Sequence, residues 1–234
     1  MTTAIIVAAG RGTRMGPMVD KLFLEVAGAP VVAHTWRRFD VSPDIHEIVL
    51  VVRDGMQSAF TDLAQQYGFS KPYRFTIGGK ERQDSVWNGL EAIHATSGLV
   101  AIQDGARPCT DPGLIRRCLR AAERLGASVA AQRATDTIKE SNGGSIIARH
   151  LDRGRLWNVQ TPQCFQSEII RRALASVREQ GLVVTDDTAA CEFIGQPVEL
   201  VESMEPNPKV TTRADLPLIE VLLREFSPDL ASPK

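Results

Sequence analysis

Short apolar runs rich in β-branched residues recur along this chain, and the segments between them carry helical spacing. Ala4–Ala8, Ile45–Val52, Tyr73–Ile77, Leu99–Gln103 and Ala127–Ala131 each have the length and composition of a buried strand. Between them, 30–39, a stretch ending near Tyr67, 84–94 and 111–125 read as helices. Pro30 suits the first turn of one, Asp84 or Ser85 the cap of another, and Asp111 with Pro112 the start of a fourth. Strands that alternate with helices join in parallel and bury both faces. The expected fold is therefore α/β: a single Rossmann-like, mainly parallel sheet flanked by helices.

One stretch breaks the rhythm. Residues 135–155 carry Asn142-Gly143-Gly144 between two partly polar extended segments, 137–139 and 145–147, which is a hairpin signal. Such a hairpin has few residues to bury within its own domain, so it reads as an inserted dimerisation arm. Afterwards the α/β pattern resumes: an extended run 156–160, then Thr161-Pro162-Gln163, a helix 167–180, and a helix after Thr185-Asp186-Asp187. A strand 197–202 and a final helix 213–225 complete it. Residues 1–226 form one expected domain including the arm, and the Pro- and Ser-rich residues 227–234 a flexible tail.

The first strand runs into Ala8-Ala9-Gly10-Arg11-Gly12-Thr13-Arg14-Met15, and Lys21 follows a short spacer. Glycine lets backbone N–H groups approach an anion, and Arg14 and Lys21 add fixed positive charge. The dinucleotide fingerprint fails because Met15 stands where its third glycine belongs. A P-loop fails as well, since no lysine directly follows a correctly spaced glycine. A second strand-to-helix turn, Gly78-Gly79-Lys80-Glu81-Arg82-Gln83-Asp84-Ser85, offers another place where backbone can meet ligand. Asp104 closes the Leu99–Gln103 strand at the end where α/β sheets bind ligands, and Arg107 either pairs with it or joins it.

Composition narrows the function classes. The 234 residues carry a formal charge of −1, so no global field draws the chain to nucleic acid or to an anionic membrane. Individual basic residues must handle any phosphate. No run approaches the length of a membrane span, and no charged leader precedes the first apolar run. Cys109, Cys118, Cys164 and Cys191 have no metal-site spacing and read as reduced thiols of a cytoplasmic protein. The four histidines are scattered, and His34 reads as a helix residue, packed or solvated, rather than a ligand.

Taken in order, Ala8-Ala9-Gly10-x-Gly12-x-Arg14-Met15, Gly78-Gly79-x-x-Arg82-x-Asp84-Ser85-Val86, Asp104-Gly105-Ala106-Arg107-Pro108, Thr161-Pro162-Gln163, Thr185-Asp186 and Asn207-Pro208-Lys209-Val210-Thr211 resemble the 2-C-methyl-D-erythritol 4-phosphate cytidylyltransferases of the non-mevalonate isoprenoid pathway. The resemblance implies transfer of CMP from CTP to a small polyol phosphate in a homodimer. It implies that Ala8, Ala9, Gly10, Gly12, Gly78, Gly79 and Ser85 hold the nucleotide. Arg14, Lys21 and Lys209 would act on the reacting phosphates, and Asp104 would bind Mg²⁺. Arg107, Thr161, Thr185 and, across the dimer, Arg153 would join Asp104 around the acceptor. Two positions depart from the family: Asp20 replaces a usual proline before Lys21, where it is expected to lower that cation's effective charge, and Lys80 replaces a frequent acidic residue. Three alternatives stay open. They are a ribitol 5-phosphate cytidylyltransferase, a molybdenum-cofactor-type guanylyltransferase (which shares Arg14-Met15-Gly16 and Asp20-Lys21), and a nucleotide-binding regulatory protein without catalysis.

Overall fold

Residues Thr2 to Ile6 are all buried, because the strand they form, β1 (Thr2–Val7), lies inside the sheet with a parallel neighbour on each side. The computed structural model describes residues 1–10 and 20–226. Among them, β4 (Glu47–Val52), β5 (Tyr73–Ile77), β6 (Leu99–Asp104), β7 (Ala127–Arg133), β10 (Trp157–Gln166) and β11 (Glu199–Glu202) join β1 in a seven-stranded sheet of order β11-β7-β10-β6-β1-β4-β5. β10 alone among these runs antiparallel to both its neighbours, β6 and β7. The sheet is thus mainly parallel, as the alternation of strand and helix predicts.

Period-two alternation sends successive apolar residues of β1 into opposite cores. Ala4 and Ile6 of β1 point into one core with Trp36 and Phe39 of α1 (Val31–Asp40), Phe60 of α2 (Gln57–Tyr67) and Leu114 of α4 (Pro112–Leu125). Ile5 points into the opposite core, against Val86 and Leu90 of α3 (Arg82–Ala92) and Ile170 and Leu174 of α5 (Ser167–Glu179). Both faces are covered, so apolar residues occupy successive positions of the central strands, and the polar ones among them, such as Thr3, Gln103 and Ser128, are hydrogen-bonded. Cys191 of α6 (Asp187–Phe193) belongs to the second core, and Leu223 of α7 (Leu216–Phe226) to the first. All four cysteines are unpaired thiols, buried. No described helix is long and apolar enough to cross a membrane.

Several boundaries differ from expectation for physical reasons. Pro30 pairs in the small ribbon of β2 (Glu25–Val26) and β3 (Ala29–Pro30), then caps α1 rather than entering its first turn. Glu81, not Asp84 or Ser85, caps α3; Asp84 is the reciprocal acceptor three residues in, for the Glu81 N–H. The hairpin exists, but as β8 (Lys139–Ser141) and β9 (Ile147–His150), with a register shift between Glu140 and Ser141. Finally, Thr161-Pro162-Gln163 does not interrupt the chain between two elements. It lies inside the single strand β10, which absorbs a register shift between Val159 and Gln163 against β7.

Candidate active site

The glycine turns after β1 and β5 meet over the C-terminal ends of the parallel strands. The Ala8 N–H donates to the Val51 carbonyl at 2.8 Å, and the Gly78 N–H to that of Val52 at 2.9 Å, so both turns hang from β4. A Cβ placed on Gly78 would lie 2.2 Å from the Ala9 Cβ, and one on Gly79 2.2 Å from the Asp84 Cβ. Glycine is needed here for close approach, not for an unusual φ. Ser85 locks the second turn, its Oγ accepting from the Gly79 N–H at 3.0 Å and donating to the Glu81 carbonyl at 3.3 Å.

The cations come from segments held with equal care. Leu22 is buried and its carbonyl accepts from the Val32 N–H, while Phe23 packs edge-on against Phe60 with ring centroids 5.3 Å apart. These anchors fix Lys21, whose Nζ donates to the Val210 carbonyl at 3.0 Å. Lys209 belongs to the same crossing segment. Asn207 pins that segment: its Nδ2 donates to the Thr161 carbonyl at 2.8 Å, its Oδ1 accepts from Thr110, and its carbonyl accepts from Arg107 at 2.7 Å.

Asp104, at the end of β6, is where the charges converge. Lys209 Nζ stands 2.7 Å from its Oδ2, Arg82 Nε 3.4 Å from its Oδ1, and Arg107 Nε 3.8 Å from Oδ2. Burial works to raise this carboxyl, but Arg82, Lys209 and Arg107 together hold it down at about 2. Thr161 supports it from behind: the Asp104 N–H donates to Thr161 Oγ1 at 3.2 Å. Arg82 reaches past Asp104 to Asp187, 2.8 Å away. Burial pulls down the affinity of Arg82 for its proton, and the two carboxylates more than reverse this. For Asp187, wholly enclosed at the start of α6, burial wins and lifts its carboxyl above the usual range even with Arg82 alongside.

Ala9, Gly10, Lys21, Gly79, Ser85, Asp104 and Lys209 therefore line one cavity of about 430 Å³, joined by Lys80, Glu81 and Arg82. Ala8 and Gly78 adjoin that lining in sequence. Arg107 and Thr161 support Asp104, and Thr185 lies exposed just before α6. Arg153 is not among the lining residues; it is exposed at the base of the arm and donates to the Thr135 carbonyl at 2.7 Å. Gly12 and Arg14 fall outside the described residues, as does the tail 227–234. The Asp20 carboxylate pairs with Arg53 and accepts from the Leu22 N–H, and Arg53 also donates to the Gly10 carbonyl at 3.3 Å. His34 is a packed helix residue, its Nε2 2.8 Å from the Val26 carbonyl.

Two participants escape a reading of the sequence. Arg82 stands inside the Gly-Gly-x-x-Arg run, and its place in the first turn of a helix behind a glycine turn was the available signal. Asp187 carries no such signal, because an acidic residue after an Asp cap is ordinary first-turn chemistry. Among the described residues there is no group of three potential metal ligands. The ionised Asp104 carboxylate lining the cavity still suits Mg²⁺, which is commonly held by one or two carboxylates and the substrate's own phosphates.

Residues 2–225 match the family model described as IspD: 2-C-methyl-D-erythritol 4-phosphate cytidylyltransferase. The 2-C-methyl-D-erythritol 4-phosphate cytidylyltransferase of Pelotomaculum thermopropionicum is 39% identical over 222 residues, spanning 94% of this chain and 93% of the relative. The crystal structure of 4-diphosphocytidyl-2C-methyl-D-erythritol synthase from Anaerococcus prevotii superposes with a TM-score of 0.85 at 29% identity, covering 96% of each chain. That of the Thermus thermophilus cytidylyltransferase does so at 0.77 and 32%, covering 96% of this chain and all of its own. With the match running nearly end to end in both sequence and fold, the chain belongs to the 2-C-methyl-D-erythritol 4-phosphate cytidylyltransferase family.

Proposed function

We propose that this chain transfers CMP from CTP to 2-C-methyl-D-erythritol 4-phosphate, releasing pyrophosphate and 4-diphosphocytidyl-2-C-methyl-D-erythritol. The observation that carries the reading is the convergence of Lys21, Lys209, Arg82 and Asp104 with the two glycine turns around one cavity. A phosphate monoester oxygen attacks the α-phosphorus in line, and the bond to the β-phosphate breaks. The nucleophile is already anionic near neutral pH, its second pKa being about 6. No general base is required, and the work is positioning and charge neutralisation. Lys21 and Arg14 serve the departing pyrophosphate, and Lys209 the reacting phosphorus. In the ligand-free cavity Asp104 holds Lys209 and Arg82, and the triphosphate competes for the same cations. Asp104 would hold Mg²⁺, which when bound would supply Lewis-acid charge neutralisation. Cytosine is read by backbone near Ala8-Ala9 and Gly78-Gly79 and by Ser85, a mode of recognition that tolerates Lys80.

Arg107, Thr161 and Thr185 serve the acceptor, and Arg153 reaches it from a second copy of the chain. The arm supports a homodimer: Ile146 and Ile147 are 84% and 62% exposed on a hairpin without a core of its own. No membrane or nucleic-acid partner enters this reading, and the cytoplasm suits its four free thiols. A pyrophosphate-release assay tests it. CTP with methylerythritol phosphate should turn over best. Preference for ribitol 5-phosphate, for GTP, or for no acceptor at all would transfer the assignment to the corresponding alternative.

A further inference from the structure

Consecutive side chains of α3 fasten both flanks of Thr185. Gln83 is buried, its Nε2 donating to the Leu182 carbonyl at 2.9 Å and its Oε1 accepting from the Val184 N–H at 2.8 Å. Its amide thus pairs with residues 182–184 as a neighbouring strand would, satisfying two backbone groups of a segment that lies outside the sheet. One residue earlier, Arg82 binds Asp187 on the other side of Thr185. From β10, Gln163 Oε1 accepts the Asp187 N–H at 3.0 Å and its Nε2 donates to Asp186 at 3.1 Å. The same turn of α3 closes the nucleotide cavity through Gly79, Arg82 and Ser85.

We infer that Gln83 is a positioning residue for the polyol-phosphate acceptor, setting the backbone of 182–184 so that Thr185 faces the substrate from a place tied to the nucleotide-binding turn. This rests on the cytidylyl-transfer reading of the cavity. Gln83 has no contact that requires it to bind nucleotide; its two polar atoms are consumed by the acceptor-side segment. Removing the amide takes the partner from a carbonyl and an N–H of 182–184 at once, at two partly buried bonds. Glutamate at this position would keep an acceptor for the Val184 N–H while turning a second oxygen on the Leu182 carbonyl.

The experiment compares wild type with Gln83→Met, which keeps length and apolar bulk, and Gln83→Ala. Steady-state KM values for CTP and for methylerythritol phosphate are read separately, and amide hydrogen exchange is followed over 182–187 without substrates. Gln83→Met should raise the acceptor KM roughly tenfold, the size expected for two lost, partly buried hydrogen bonds, with the CTP KM changed less than about twofold. The Val184 amide should lose protection while the amides inside α3 keep theirs. Parallel rises in both KM values, or unchanged protection at Val184, would overturn the inference. Should Gln83→Ala unfold, Gln83→Met decides. A wild type inert with every polyol phosphate offered would instead overturn the reaction assignment, and exchange would still report whether Gln83 holds the segment.

Discussion

Replacing Asp104 by asparagine tests whether the ion cluster is a structural asset of the ligand-free protein as well as a functional one. The carboxyl sits at about 2 instead of the 3.8 of an ordinary aspartate, and its side chain is 12% exposed, so solvent screening is modest. At about 1.36 kcal/mol per unit, the ionised group contributes about 2 kcal/mol to folding at neutral pH. The sign follows from proton uptake. Between the two values the unfolded chain binds more protons than the folded one, so the contribution is fully present above roughly pH 5 and fades as pH falls towards 2. By about pH 3 roughly 1 kcal/mol of it is gone. Asp187, raised rather than lowered, works in the opposite sense, and because the Asp104 charge is one of the lesser causes of that rise, the variant lessens it only in part. Urea unfolding followed by far-UV circular dichroism should therefore show Asp104→Asn less stable by about 2 kcal/mol at neutral pH, with the gap narrowing in acid. Loss of the carboxylate also leaves Lys209, Arg82 and Arg107 facing one another. A variant more stable than wild type, or a gap that does not change with pH, would refute the reasoning.

Lys21→Ala and Lys209→Ala should each lower kcat by roughly two to three orders of magnitude, the scale of one lost charge-stabilising donor, while the acceptor KM moves little; steady-state kinetics at saturating CTP provide the check, and a raised CTP KM alone would reduce either lysine to a binding residue. Gly78→Ala should abolish CTP binding measured by calorimetry, because its Cβ would sit 2.2 Å from that of Ala9 and one of the two turns must move. Arg153→Ala and Lys21→Ala, each inactive alone, should regain about a quarter of wild-type activity when co-refolded, since half the dimers are mixed and each has one intact site. Activity that stays at the background of the single variants would place Arg153 in its own subunit's chemistry.

The sheet and its helices could be read from the chain because their cause is local. Ile5 and Ile6 both had to be apolar once the strand was covered on two faces, and Asp111-Pro112 is a self-contained start signal that the structure repeats. The cavity was readable only where glycine and charge sit together, as at Gly10, Gly78 and Lys21. Partnerships across the fold were not. Asp20 belongs to Arg53, and Arg82 to an aspartate on the far side of the site, and neither pairing has a trace in local spacing. The capping of α3 by Glu81 was hidden because glutamate is an uncommon cap, and Asp84 three residues on drew attention instead.

The reversed strand β10 has a consequence for how the molecule assembles. It lies between β6 and β7, yet the chain completes both before reaching it. Until Trp157–Gln166 is made, the growing polypeptide holds the part-sheet β6-β1-β4-β5 and a lone β7, since β11 also lies further along the chain, and β6 presents one edge with nothing bonded along it. An open edge of that kind is a template for pairing with other chains. Closing the seam joins residues far apart in sequence, Asp104 to Thr161 and Thr161 to Asn207, and such non-local contacts form slowly. The cluster around Asp104 lies on this seam and takes Lys209 from beyond it, so a chain that stops short of β10 lacks both the closed edge and the cluster.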